Sequence, residues 1–137
     1  MKYAVIDTNV LVSSQMTRYD DVATRQVVKA VFDGNVMPVV TSAILAEYQD
    51  VLSRPKLNLH KDIAITIVSY FSRYGLFAEP HPYSAALPDE KDRMFLEAVL
   101  GAQADGAVLV TGNKRHFPDS GFVLTPSEFV ALYTPLM

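Results

Sequence analysis

Three acidic residues stand at places in the chain where a carboxylate could bind a metal ion. Asp7 directly follows the short apolar segment 3–6, whereas Glu47 and Asp92 each lie in a segment with the periodicity of an amphipathic helix. Carboxylate oxygens suit hard divalent cations such as Mg²⁺, which keep several waters and take their other protein ligands from a few acids. The residue types therefore indicate a candidate acidic metal site.

Asp7 occupies the position at which open parallel sheets bind ligands. It ends the first predicted strand, with Thr8 and Asn9 directly after it, and ligands of such sheets bind beyond the carboxyl ends of the strands. The alternative is an aspartate that starts a turn through its own side chain. Position alone does not separate these two interpretations.

Glu47 lies beside the apolar face of a predicted helix, which is formed by Ile44, Tyr48, Val51 and Leu52. A carboxylate next to a buried face costs free energy unless something compensates its charge, and a metal ion would do so. The alternative is a glutamate that extends to water or pairs with a nearby arginine.

Asp92 is in line with the apolar stripe of the next predicted helix, which includes Phe95, Leu96 and Val99. The alternative role is structural, because Asp89 and Asp92 together resemble the acidic first turn of a capped helix. Both descriptions hold if Asp89 caps the helix and Asp92 faces a ligand.

A fourth polar segment, Thr111-Gly112-Asn113, follows the clearest predicted strand and lies at the same sheet edge as Asp7. Its alternative interpretation is a turn built on Gly and Asn. Nearby His116 is of a type that serves as a base or metal ligand, but a lone loop histidine is more often a structural hydrogen-bonding residue. The order of all four elements is more specific than any one of them.

The elements that must position these residues alternate between short apolar strands and longer helical segments, the pattern of a parallel α/β sheet. Thr41-Ser42 is a helix start, and Gly34 and Gly75 are helix stops. We predict strands at 3–6, 36–40, 107–110 and 122–124, helices at 21–33, 43–52, 61–74 and 88–104, and a terminal helix after Thr125-Pro126.

The bulk composition fits one domain of 137 residues, of which 50% are hydrophobic, with no linker to divide it. The lack of cysteines excludes disulfide scaffolds and thiolate zinc sites. No signal peptide or membrane span is predicted, so we expect a soluble cytoplasmic protein. The net charge of −3 and scattered basic residues disfavour a passive nucleic-acid binder; folding or dimerisation would have to assemble any phosphate-binding surface.

The combined pattern resembles the PIN-domain family, and within it the VapC-like toxin ribonucleases of bacterial and archaeal toxin–antitoxin pairs. The resemblance covers nearly the whole chain in order. The four matching motifs are Asp7-Thr8-Asn9-Val10-Leu11, Thr41-Ser42 followed by Glu47, the segment from Asp89 to Ala98, and Val110-Thr111-Gly112-Asn113 continuing to Phe117.

The resemblance implies a three-layer α/β/α fold around a parallel sheet, with an acidic pocket that binds Mg²⁺ or Mn²⁺ and hydrolyses RNA phosphodiesters. It assigns metal binding to Asp7, Glu47 and Asp92. It implies a homodimer and, for toxin members, an antitoxin partner that inserts a segment into the pocket. Thr8, Asn9, Thr111 and Asn113 are expected to orient the metal-bound waters or the scissile phosphate.

The chain departs from the family at Asn113, where many members have an aspartate. The change leaves three carboxylates in place of four and favours one tightly bound ion, with a second recruited with the substrate; Asp119 or Asp89 could supply the missing charge. A binding module with a degenerate site stays open because of Asn113. A phosphotransfer domain is disfavoured, because Asp7-Thr8-Asn9 lacks the second acid of such phosphatases and no acidic pair precedes a strand-ending aspartate, as in receivers.

Overall fold

The chain folds around a five-stranded, all-parallel sheet with the strand order β3-β2-β1-β4-β5. The structure is a computed structural model that describes residues 2–133. The strands are β1 (Lys2–Ile6), β2 (Val36–Val40), β3 (Leu76–Phe77), β4 (Val108–Val110) and β5 (Val123–Leu124). The helices are α1 (Thr8–Met16), α2 (Ala23–Phe32), α3 (Ser42–Leu52), α4 (Ile63–Tyr74), α5 (Arg93–Gly101) and α6 (Pro126–Tyr133).

Helices cover both faces of this sheet, which gives the expected three-layer α/β/α fold. α2 packs against α1 and α6, whereas α3 packs against α4 and α5. The strands are rich in Val and Leu because a parallel sheet covered on both faces must be apolar on both. The largest fully buried side chains are Tyr48, Phe71, Phe95, Phe129, Ile6 and Leu11.

Capping residues fix where two of the helices, α3 and α6, begin. Thr41 Oγ1 accepts a hydrogen bond from the Ile44 backbone N at 3.1 Å, so the predicted start of α3 is confirmed. At α6, Glu128 Oε1 accepts from Thr125 N at 2.9 Å while Thr125 Oγ1 accepts from Glu128 N at 3.1 Å. This reciprocal pair is a capping box.

Three elements differ from the sequence-based prediction. Helix α1, Thr8–Met16, was not predicted. The sequence indicates a loop or a short edge strand at residues 79–83, where two prolines stand, but the edge strand β3 lies just before them at Leu76–Phe77. The predicted helix from 88 to 104 is divided into a 3-10 turn at Glu90–Asp92, α5, and a second 3-10 turn at Gln103–Asp105. Between residues 2 and 133, no helix is long and apolar enough to cross a membrane.

Candidate active site

Asp7 and the segment after β4 meet at the point where the strand order reverses. β1 pairs with β2 on one side and with β4 on the other, and chain connections leave this point in opposite directions. The Asp7 backbone N donates to Val110 O at 3.0 Å, so Asp7 and Thr111 lie side by side beyond the carboxyl ends of β1 and β4. Open α/β sheets bind ligands at such a switch point.

The Asp7 carboxylate is almost entirely removed from water, with 4% of the residue exposed. Its Oδ2 accepts hydrogen bonds from Thr111 Oγ1 at 2.7 Å and from Asn9 Nδ2 at 3.3 Å. Burial, together with the negative charge of Asp92, raises the pKa of Asp7 to about 6, although the Thr111 hydrogen bond opposes the rise. An acid in this state attracts a cation, since a positive charge would offset both unfavourable contributions.

Asn9 holds the loop after β4 in place. Its Oδ1 accepts from the Gly112 backbone N at 3.1 Å, and its Nδ2 donates to Asp7. A Cβ on Gly112 would lie 3.3 Å from Asn9 Oδ1, so a side chain there would crowd this contact. Thr111 Oγ1, the donor to Asp7, accepts from the Asn113 backbone N at 3.0 Å. Thr111-Gly112-Asn113 is therefore fastened to the Asp7 segment by side-chain hydrogen bonds.

Asp92 and Asp89 have different contacts at the start of α5. Asp89 Oδ1 accepts from the Lys91 backbone N at 3.0 Å and caps the 3-10 turn. The Asp92 side chain makes no capping hydrogen bond; its Oδ2 lies 3.3 Å from Nδ1 of His116. Burial and then the nearby charge of Asp89 raise the pKa of Asp92, while His116 lowers it. Asp92 is thus free of the helix-capping role.

Glu47 does not join a three-acid cluster. It is half-buried on α3, and within residues 2–133 its side chain forms no hydrogen bond or ion pair, so no arginine there neutralises it. Over the same residues, no group of three His, Asp or Glu side chains stands close enough to hold a metal ion. The expected convergence of Asp7, Glu47 and Asp92 is therefore not assembled in this structure, and a role for Glu47 as ligand stays a prediction.

Asn113 is exposed and, with Asn9 and Gly112, borders a shallow surface depression next to α1. Of the two acids that could replace the missing fourth carboxylate, Asp89 is the one whose charge acts on Asp92. Asp119 is exposed and makes no ion pair with any residue that the structure describes.

The structure contains a buried hydrogen bond near the site that the sequence did not predict, made by the hydroxyl of Tyr48. The Tyr48 hydroxyl is buried and donates to Ile6 O at 2.5 Å, which ties the middle of α3 to the end of β1. Burial, with a contribution from the charge of Asp7, raises the pKa of Tyr48 well above its ordinary value. The sequence signal for this hydrogen bond is a phenol within an apolar stripe. Thr8, which was predicted to orient waters or the phosphate, has a buried Oγ1 with no hydrogen-bond partner among residues 2–133.

The family of the chain is shown by a match that covers most of its length. The family model described as a PIN domain matches residues 3–115. The chain belongs to the PIN-domain family. It matches no curated protein and no solved structure.

The match to the PIN domain spans all the candidate site residues from Asp7 to Asn113. PIN domains are in general nucleases that use divalent metal ions, so membership indicates a nuclease.

The donor set of this PIN domain suits a divalent cation of the kind that needs few protein ligands. Asp7 and Asp92 carry carboxylates close enough that the charge of Asp92 acts on Asp7, and within residues 2–133 no lysine or arginine forms an ion pair with Asp7. Mg²⁺ is commonly bound by one or two carboxylates together with waters and substrate phosphates. Two acids at the switch point are sufficient for that mode of binding.

Proposed function

We propose that this PIN domain is an endoribonuclease that hydrolyses RNA phosphodiester bonds with Mg²⁺ or Mn²⁺. The observation that supports this most strongly is Asp7: a buried acid with a pKa raised to about 6, placed beside a second acid at the switch point of the sheet. Leaving such a charge without a cation costs folding free energy. A cation bound at the site would offset that cost.

The residues of the site divide into two proposed roles. Asp7 and Asp92 hold the cation directly or through water, with Glu47 approaching from α3. A cation bound there supplies a water of lowered pKa and neutralises charge that develops on the phosphate. Thr111 fixes the orientation of the Asp7 carboxylate through its 2.7 Å hydrogen bond. Thr8, Asn9 and Asn113 line the surroundings and orient waters or the scissile phosphate.

The proposal is tested by incubating labelled RNA and DNA strands of the same sequence with the protein, in Mn²⁺, Mg²⁺ or EDTA. We expect internal cleavage of RNA with either metal and none in EDTA. Cleavage of DNA in preference to RNA would overturn the choice of substrate. RNA cleavage that persists in EDTA would overturn the metal dependence.

A second candidate function is a PIN-fold binding module with an inactive site, and Asn113 is the observation that favours it. Asn113→Asp adds a fourth carboxylate near the site, which should strengthen its attraction for a cation and lower stability in chelator. For an active nuclease we expect cleavage at lower Mn²⁺ concentrations. Activity that appears only in the variant would identify the natural protein as the inactive module, and an unchanged titration would show that Asn113 does not face the metal.

We further propose that the protein is the toxin of a toxin–antitoxin pair, acting in the cytoplasm as a homodimer. Both the toxin role and the dimer are supported by the resemblance of the four sequence motifs to those of toxin ribonucleases. Induced expression should arrest growth, and co-expression of a small neighbouring open reading frame should relieve the arrest. Light scattering should give twice the chain mass; a monomer would contradict the dimer.

A further inference from the structure

Two turns from distant parts of the chain meet at the edge of the candidate site. One is the 3-10 turn Glu90–Asp92 and the other is the 3-10 turn Lys114–His116. They are joined by the contact of 3.3 Å between Asp92 Oδ2 and His116 Nδ1. Each turn carries an exposed basic residue directly before the residue that makes this contact: Lys91 precedes Asp92, and Arg115 precedes His116.

The neighbouring basic side chains are already occupied. Arg93 forms an ion pair with Glu90 at 2.7 Å and donates to the backbone oxygens of Tyr83 and Ala85. Lys114 forms an ion pair with Glu128 at 3.0 Å.

Lys91 and Arg115 differ from these neighbours. Among residues 2–133, the side chains of Lys91 and Arg115 form no ion pair and no hydrogen bond. Their charges are therefore available to a ligand, and the Asp92–His116 contact keeps their two turns together.

The negative charge of the site favours basic side chains nearby as partners of a nucleic-acid substrate. The chain carries a net charge of −3, and Asp7 and Asp92 lie where the strand must be cleaved. Phosphates approaching these acids are repelled, and in the absence of a basic surface nearby the repulsion would oppose binding. Basic residues next to Asp92 offset that repulsion at the place where it is strongest.

We propose that Lys91 and Arg115 bind backbone phosphates of the RNA strand on either side of the Asp92–His116 contact. This inference rests on the proposed ribonuclease function and assigns its substrate-binding residues. The guanidinium of Arg115 can bind a phosphate through two hydrogen bonds, whereas the ammonium of Lys91 acts as a point charge. Phosphate contacts fix the register of a strand without reading its sequence, so the two residues position the RNA and are not catalytic.

The test measures binding of a fluorescent single-stranded RNA by anisotropy in EDTA, where no metal-dependent cleavage occurs, over a series of salt concentrations. For single strands, log K falls with log[salt] by about 0.7 per phosphate contact, so loss of two contacts should reduce the slope by about 1.4. We expect this reduction in Lys91→Ala/Arg115→Ala, with weaker binding at low salt. Lys91→Arg/Arg115→Lys should retain the slope.

The matched control is Lys2→Ala/Lys56→Ala. Both side chains are exposed and, among residues 2–133, form no ion pair and no hydrogen bond. Lys2 begins β1 and Lys56 follows the end of α3, so both lie towards the amino ends of the strands, away from the candidate site. This control removes the same charge and should leave the slope unchanged. Melting curves in the same buffer establish that each variant is folded.

The possible failures are distinguishable. If the wild type cleaves RNA but Lys91→Ala/Arg115→Ala shows the same salt dependence of RNA binding as the control variant, the phosphate-binding assignment is overturned and the ribonuclease proposal stands. If the wild type neither binds nor cleaves RNA, both are overturned.

Discussion

At the scale of single residues, the candidate site combines a buried acid with hydrogen bonds that orient it. Asp7 accepts from Thr111 and Asn9, which lowers the cost of its charge without removing it, because burial still raises its pKa to about 6. The metal-free protein is therefore less stable at neutral pH than its packing alone would allow. This is the expected condition of a site that is completed by a cation.

The pH dependence of stability should report this cost. The pKa of Asp7 is raised from 3.8 to about 6 on folding, so the folded state binds the proton more tightly. The associated stability is fully present below about pH 4 and is lost as the pH rises through about 6. In EDTA, Asp7→Asn should gain about 1 to 3 kcal/mol relative to wild type between pH 4 and pH 7, as measured by urea unfolding. If the free energy of unfolding varied with pH in the same way for both proteins, the charge of Asp7 would not be the source of this cost.

The two acids before α5 should give opposite phenotypes. Asp89→Ala removes a capping acceptor from the Lys91 N–H and should cost up to about 1 kcal/mol of stability while leaving most cleavage activity. Asp92→Asn makes no change to a cap, so it should abolish cleavage with little change in the unfolding midpoint. The two variants are compared by urea unfolding and RNA cleavage side by side. Reversed phenotypes would exchange the roles assigned to Asp89 and Asp92.

At the scale of elements, short segments without strong propensity position the site. The segment before the Asp89–Asp92 turn is held against α5: His81 N donates to Glu97 O at 3.0 Å and Tyr83 N donates to Glu97 Oε2 at 2.9 Å. Gly101 at the end of α5 lets the backbone at Glu79 approach closely, since a Cβ there would overlap the Glu79 carbonyl. The close approach requires glycine.

The close approach of Glu79 to Gly101 is tested by whether Gly101→Ala raises or lowers the free energy of unfolding. Helix propensity alone would make alanine more stabilising by about 0.5 to 1 kcal/mol. The clash with Glu79 should reverse the sign and cost about 1 to 3 kcal/mol in urea unfolding. Gly121→Ala is the control, because no heavy atom lies within 4 Å of its added Cβ, and it should be neutral or stabilising. A stabilised Gly101→Ala would contradict the close packing.

The strongly patterned elements could be predicted from the sequence, and the weakly patterned ones could not. β2 and the capped start of α3 have a Val-rich run and a Thr cap, so their bounds are confirmed almost to the residue. Helix α1 has no clear apolar stripe, because two of its four buried residues, Thr8 and Ser14, are polar, whereas the apolar Met16 is exposed. β3 has only two residues, too few for a periodic signal.

At the scale of the whole molecule, the sheet topology brings distant residues together, and this limits what the sequence can predict about the site. The strand-end rule placed Asp7 and Thr111 at one edge, and the 2.7 Å hydrogen bond between them agrees with that placement. The bond from Tyr48 to Ile6 and the Asp92–His116 contact depend on how α3 and the turn after β4 pack. No local pattern contains that information.

Metal binding should be visible as a change in the stability of the whole fold. A cation that binds the native state and not the unfolded chain raises the melting temperature by mass action. We expect Mn²⁺ to raise the melting temperature of the wild type in a concentration-dependent manner and to have no effect on Asp7→Asn. Equal shifts in both proteins would place the cation at another site.

The most direct test of the proposed ribonuclease function is the rate of RNA cleavage as a function of Mn²⁺ concentration, measured for wild type, Asp7→Asn and Asp105→Asn. Asp105 lies before β4, away from the switch point, so its variant removes an acid without touching the site. We expect saturable, metal-dependent cleavage by wild type and Asp105→Asn, and none by Asp7→Asn. Undiminished cleavage by Asp7→Asn would contradict the role proposed for Asp7.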